Sequence, residues 1–174
     1  GVVKIYNTDS NFAVLKSDGS VVTWGTTFNF DQEVAEIANE ITSGVVEIYS
    51  TGSTFAAHKD DGSVVCWGNN GNFEISYESS SLPANLNNAV FYNTGNAFAV
   101  IRTDGSVYTW GGETEGGDSS SVASQLTSGV VSISQTAEAF AALKSDGSVV
   151  TWGNGTYGDG GFGGDSSAVS SQLS

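Results

Sequence analysis

Apolar and polar positions along the chain follow two periods, and the alternation between them occurs four times. In Val3-Lys4-Ile5, Val46-Glu47-Ile48 and Val131-Ser132-Ile133, apolar residues alternate with polar ones. This period-two pattern belongs to a strand with one buried face. Val90-Phe91-Tyr92 fills the same place with a weaker pattern. A second segment, Phe12-Ala13-Val14-Leu15-Lys16, is apolar until its last residue, and its counterparts start at Phe55, Phe98 and Phe140. A strand of that kind is buried on both sides with its end in water. A third segment, Val21-Val22-Thr23-Trp24, returns at Val64, Val107 and Val149 and is closed by Gly25, Gly68, Gly111 and Gly153. Between the second and third segments lies Ser17-Asp18-Gly19-Ser20 or its equivalent. Asp-Gly between two apolar runs is a strong hairpin signal, because glycine accepts positive φ without a Cβ clash. Positive φ is therefore expected at Gly19, Gly62, Gly105 and Gly147.

After each Trp-Gly the period lengthens. Asp31 precedes Val34, Ile37 and Ile41; Asp118 precedes Val122 and Leu126; Asp165 precedes Val169 and Leu173. Spacings of three and four put these apolar residues on one helical face, with the aspartate as N-cap. The second copy keeps Leu82 and Leu86 but has Pro83 between them. Proline is tolerated only in a first helical turn, so that helix starts near Leu82 or is a bare turn. In first-copy numbering the pattern predicts strands near 2–6, 11–17 and 20–24 and a helical turn near 31–41.

The copies are regular. Asp-Gly-Ser-Val stands at Asp18, Asp61, Asp104 and Asp146, and Trp24, Trp67, Trp110 and Trp152 are spaced by 43, 43 and 42 residues. A fixed period of this size marks a stack or ring of supersecondary units. The chain divides into 1–43, 44–88, 89–128 and 129–174. We read 1–174 as one mainly β repeat domain with three strands and a short helical turn per repeat. The columns Phe12/Phe55/Phe98/Phe140 and Trp24/Trp67/Trp110/Trp152 are expected to be buried and to pack between neighbouring repeats. The repeats either close into a four-bladed ring or continue as an open array. Closure is the expectation, since a ring leaves no sheet terminus to cap. The chain has no methionine, which reads as a processed product or a slice of a longer array.

The net charge is −14. An acidic surface argues against nucleic acid as a partner, because phosphates are repelled. No apolar run reaches membrane-spanning length, and no signal-peptide pattern is present, so membrane insertion is not expected. Lys16, Lys59, Arg102 and Lys144 form one basic column. It reads as solvated strand-end charge beside the acidic turns, with a periodic docking ring as the sharper alternative. Cys66 is the only cysteine and stands where other repeats have threonine, so no intrachain disulfide forms and a strand residue is the better reading than a nucleophile. Asn154-Gly155-Thr156 is a glycosylation sequon. It leans towards secretion, although chance produces such a triplet, and the compartment stays open.

Chemistry is sparse. His58 is the only histidine and occupies the column of Leu15, Ile101 and Leu143, where a core or strand-end role outranks catalysis. No nucleophile elbow, zinc spacing or phosphate loop occurs. The pairs Asp60-Asp61 and Glu113-x-Glu115 read as loop charge. The glycine-rich loops 111–118 and 158–165 end at Asp118 and Asp165, and the second superficially resembles a Gly-Gly-x-Gly-x-Asp calcium repeat without its tandem period. No catalytic, cofactor-binding or metal-binding residue is assigned, and calcium is the one cofactor with any motif behind it. Phe28, Phe30, Phe73, Tyr77, Tyr157 and Phe162 lie in the variable segments after Trp-Gly, where a rigid scaffold carries binding specificity.

Phe-Ala-x-Leu-Lys-x-Asp-Gly-Ser-Val-Val-Thr-Trp-Gly, at Phe12–Gly25 and Phe140–Gly153, resembles the repeat of the RCC1-like family (regulator of chromosome condensation). Gly-Gly-Asp-Ser-Ser-x-Val at Gly116 and Gly163 resembles its compact version. The resemblance covers all four units and implies a β-propeller. The family's nuclear members are seven-bladed exchange factors; others are scaffolds or parts of ubiquitin ligases and kinases. Four short units and the absence of a basic tail depart from the exchange-factor pattern, so no catalytic residue is carried over.

The sequence thus points to a non-enzymatic repeat scaffold that works through contacts with protein partners or with copies of itself. The alternatives are a lectin-like or calcium-dependent binding propeller, and a fragment of an exchange factor or ligase subunit.

Overall fold

Each Asp-Gly-Ser turn folds the chain back on itself, and each repeat becomes a three-stranded antiparallel meander. The computed structural model describes residues 1–26, 30–68, 82, 86–155 and 163–173, with the backbone alone at 30–33. The chain forms two units, Gly1–Asn87 and Asn88–Ser174. The first unit holds β1 (Val2–Asn7), β2 (Asn11–Lys16), β3 (Val21–Gly25), α1 (Phe30–Ile37), β4 (Val45–Ser50), β5 (Phe55–Lys59) and β6 (Val64–Trp67). The second holds β7 (Val90–Asn93), β8 (Ala97–Ile101), β9 (Val107–Gly111), β10 (Val130–Gln135), β11 (Ala139–Lys144) and β12 (Val149–Gly153). The sheets are β1-β2-β3, β4-β5-β6, β7-β8-β9 and β10-β11-β12. The mainly β class and the three strands per repeat are as the pattern predicts.

The turns are three-residue loops. Gly19 N–H donates to Lys16 O, and Lys16 N–H donates to Ser20 O, each at 2.9 Å. The same pair of bonds recurs around Gly62, Gly105 and Gly147. The glycines have φ of 75°, 82°, 76° and 90°, the left-handed position that follows a type I turn in such a hairpin. Asp18 Oδ1 accepts the Ser20 hydroxyl at 2.6 Å and the Ser20 amide at 3.0 Å. Asp61, Asp104 and Asp146 bond their own +2 serines in the same way. The serine hydroxyl first, then the amide, holds each of these carboxyls below the ordinary aspartate range.

The opening strand departs from simple alternation. The register slips between Val45 and Glu47, and likewise between Val2 and Lys4 and between Val130 and Ser132. A bulge adds one residue and turns the following side chains over. Val45 and Ile48 are therefore both buried while Val46 is exposed, whereas the alternation pairs Val46 with Ile48.

The helical signal takes two forms. In the first repeat it is the α-helix α1. It begins at Phe30, so Asp31 falls within its first turn and is not its cap. In the third and fourth repeats it is a 3-10 segment, Ser120–Gln125 and Ser167–Gln172. These six-residue stretches are rich in serine, which competes for backbone bonds and disfavours a longer α-helix. Asp118 and Asp165 each accept the amide two residues on, at 2.8 Å. The Pro83 helix lies outside the described residues.

Candidate functional site

In each unit the core is a seam between two successive sheets. In the first unit, Tyr6, Ala13, Leu15 and Val21, with Val34, Ile37 and Ile41, meet Val45, Ile48, Phe55, Ala57, Val65 and Trp67. In the second, Tyr92, Ala99, Ile101 and Val107, with Val122 and Leu126, meet Val130, Ile133, Phe140, Ala142, Val150 and Trp152. Each seam joins two kinds of face. The first sheet of a unit offers a tail face, at the positions of Ala13 and Leu15. The second offers a head face, at the positions equivalent to Ile5, Phe12, Val22 and Trp24.

Polar bonds fix the register of these seams. Val45 N–H donates to Gly19 O and Val130 N–H to Gly105 O, each at 3.0 Å. Trp67 Nε1 donates to Thr23 Oγ1 at 3.1 Å, and Trp152 Nε1 donates to Gly116 O at 3.0 Å. Lys59 Nζ donates to Glu40 O at 2.8 Å, and Lys144 Nζ donates to Gln125 O at 2.7 Å. The basic column is therefore neither idle solvated charge nor a docking ring at these two positions. Lys144 caps the last carbonyl of the preceding repeat's 3-10 segment, where a cation is favoured, and Lys59 bonds a carbonyl in the turn that follows α1. Lys16 instead lies 3.9 Å from Asp18, and Arg102 lies over the Tyr108 ring.

Glu47 is a seam residue that the pattern did not single out. Lys4 Nζ lies 2.7 Å from its Oε1, and the Tyr6 hydroxyl donates to the same atom. Partial burial pushes the Glu47 carboxyl up, but bonds from Lys4 and Tyr6 outweigh that, and it sits below its ordinary value. Desolvation and the same carboxylate raise the Tyr6 hydroxyl. The alternation Lys-x-Tyr against Glu at one repeat's distance was the available signal.

The Phe and Trp columns pair directly across the second and third strands. Their rings stack at centroid distances of 5.1–5.6 Å. In the second, third and fourth repeats both rings are buried, as expected. The seat of Phe140 is shaped by Gly116, whose φ is 102°. A Cβ built there would lie 2.6 Å from the Phe140 ring, so only glycine leaves room for it.

The first repeat departs from the expectation. Phe12 is 45% and Trp24 49% exposed, against 1% and 2% for Phe140 and Trp152. Ile5 and Val22 are also exposed, although Ile133 and Val150 are buried. Within each unit, the rings of the second sheet are buried where the sheet before it covers the head face. The fourth repeat shows the reverse. On its tail face Leu143 is 42% exposed, where Leu15 and Ile101 are buried. Thr136 is exposed, where Thr8, Thr51 and Thr94 are buried. An open hollow of about 100 Å³ lies on that face, lined by Ser134, Thr136, Ala139, Ala141 and Gly163 among others.

The remaining candidates do not converge. His58 lies on β5 opposite Val64, and desolvation holds its pKa below the ordinary value. Cys66 pairs with Ala56 across the sheet. Glu115 accepts the Thr114 hydroxyl at 2.8 Å within the wide turn Glu113–Gly117. Asn154 Nδ2 donates to Glu138 at 2.7 Å. No three of His, Cys, Asp and Glu gather into a metal site among the described residues. Among them, too, no helix is long and apolar enough to cross a membrane. The loop aromatics Phe28, Phe73, Tyr77, Tyr157 and Phe162, and the calcium-like run 158–162, lie outside the described residues, as does the side chain of Phe30.

No protein-family profile and no curated protein matches the sequence. Solved structures do match the fold. Prp20p from Saccharomyces cerevisiae, whose binding to Gsp1p and histones has been studied, is 15% identical with a TM-score of 0.53, over 97% of this chain and 51% of that one. Yeast RCC1 (Prp20) bound to Kap60 is 16% identical with a TM-score of 0.54, over 97% of this chain and 49% of that one. Human WBSCR16 is 19% identical with a TM-score of 0.50, over 88% of this chain and 48% of that one. The chain spans about half the length of the structures it matches. At these identities the likeness concerns the fold, and it is to the RCC1-type propeller.

Proposed function

We propose that the chain is a non-enzymatic RCC1-like scaffold that works by docking protein on the head face of its first repeat. The observation that carries this reading is the uncovered apolar surface of Ile5, Phe12, Val22 and Trp24. Several large apolar side chains exposed together on a rigid sheet mark an interaction surface, and an aromatic pair is a suitable anchor. The protein partners of Prp20p and yeast RCC1 support contact with protein as the mode of action. The test is a photo-crosslinking amino acid placed at Trp24, with Val46, 50% exposed in the same unit, as the control position. Protein adducts in an extract of the source cells are expected from position 24 and not from position 46. Equal labelling from both positions, or no protein adduct from 24, overturns the reading.

A further inference from the structure

We infer that the partner of the head face is a second copy of this chain, which offers the tail face of its fourth repeat. The inference rests on the scaffold reading and names its occupant. The two exposed faces are the two halves of a seam that the chain already makes internally. In the second unit, Phe140 enters a seat formed with Ala97, Ala99 and Gly116, and Trp152 donates to Gly116 O. The residues at the equivalent positions of the fourth repeat are Ala139, Ala141 and Gly163, and they line the open hollow. Gly163 has φ 91°, the same left-handed region as Gly116, so its backbone turns as the seat requires. The aromatic ring that would fill such a seat belongs to a head face, and the uncovered one carries Phe12 stacked on Trp24.

The polar fixtures are matched as well. Lys144 is bonded to Gln125 O, and the equivalents at a joint between copies are Lys16 and the carbonyl of Gln172. Trp24 Nε1 would donate to Gly163 O, as Trp152 donates to Gly116 O. The contact is heterologous, head to tail, so one copy can bind through both ends and growth continues beyond a dimer unless a ring closes. A net charge of −14 on each copy opposes approach, and salt relieves this, since the screening length is about 10 Å at 0.1 M.

The test uses the purified full chain in sedimentation experiments over a range of concentration at low and high salt. Trp24→Arg blocks the head and Ala141→Arg blocks the tail. The wild type should assemble, more strongly at high salt. Each variant alone should sediment as a monomer. Their mixture should form a one-to-one dimer that grows no further, since only one good head and one good tail remain. Wild-type assembly should also shift Trp24 emission to shorter wavelength, a readout that does not depend on how the variants fold. The inference is overturned by a wild type that stays monomeric at every salt and concentration, by assembly that both variants retain, or by dimerisation of either variant alone. If the wild type is monomeric yet position 24 crosslinks to a different protein, self-docking fails and the scaffold reading stands.

Discussion

Phe55→Ala and Phe12→Ala remove the same side chain from the same column of the same unit, and the seam argument assigns them different costs. Phe55 is fully buried, packed between the first two sheets and stacked on Trp67 at 5.1 Å. Truncating a buried phenylalanine loses its transfer free energy and leaves a cavity, about 3–5 kcal/mol together. Phe12 is 45% exposed, so roughly half of the transfer term is absent and no closed cavity forms. What remains is partial burial and stacking on Trp24, about 1–2 kcal/mol. Urea unfolding followed by circular dichroism and tryptophan fluorescence measures both, at protein concentrations where the chain is monomeric. A chain of two units can unfold in more than one step, and both variants report on the same step because both lie in Gly1–Asn87. Equal losses, or a larger loss for Phe12→Ala, would refute the claim that burial in this column depends on a preceding repeat.

Gly105→Ala should destabilise the second unit by about 1–3 kcal/mol in chemical denaturation, because φ is 76° and the new Cβ would lie 2.9 Å from Gly129 N; an unchanged midpoint would count against it. Lys144→Met should cost about 0.5–1 kcal/mol through the lost bond to Gln125 O, while Lys16→Met in the monomer should be neutral; similar costs would show that the column is only solvated charge. Asp61 is held below its ordinary pKa by Ser63. Its folded form therefore binds fewer protons than the unfolded chain, and its stabilisation is present above the unfolded pKa and lost as pH falls through the folded one. The melting-temperature gap between wild type and Asp61→Ala should accordingly shrink in acid, and a gap that widens there would refute the hydrogen-bond reading.

Much of the seam was legible one residue at a time but not as a seam. The Asp-Gly-Ser turns, the Phe and Trp columns and the change of period after Trp-Gly all mark local structure; the turns and strands, and the helical segments of the first, third and fourth repeats, appear where the pattern puts them. The bulge at the first strand was not legible, because an inserted residue leaves the alternation of residue types unchanged while it reverses which side they face. The lysine column was legible as a column. Its role was not, since the acceptors at Glu40 and Gln125 are backbone carbonyls, which carry no mark in a sequence. Gly116 and Gly163 were visible as parts of glycine-rich loops and as the start of a repeated motif, not as seats for a ring. That one holds Phe140 and the other lines an open hollow depends on which sheet lies against it.

The sequence by itself determined the repeat, its strands and turns, and the residue types at each column, because these follow from local periodicity and backbone sterics. Tertiary structure alone decided which members of a column are core and which are surface. Phe12 and Phe140 share one local pattern, and only the presence or absence of a covering sheet separates 45% exposure from 1%. Hydrophobic burial is a property of what a face meets, and a repeat does not carry its neighbour within its own residues.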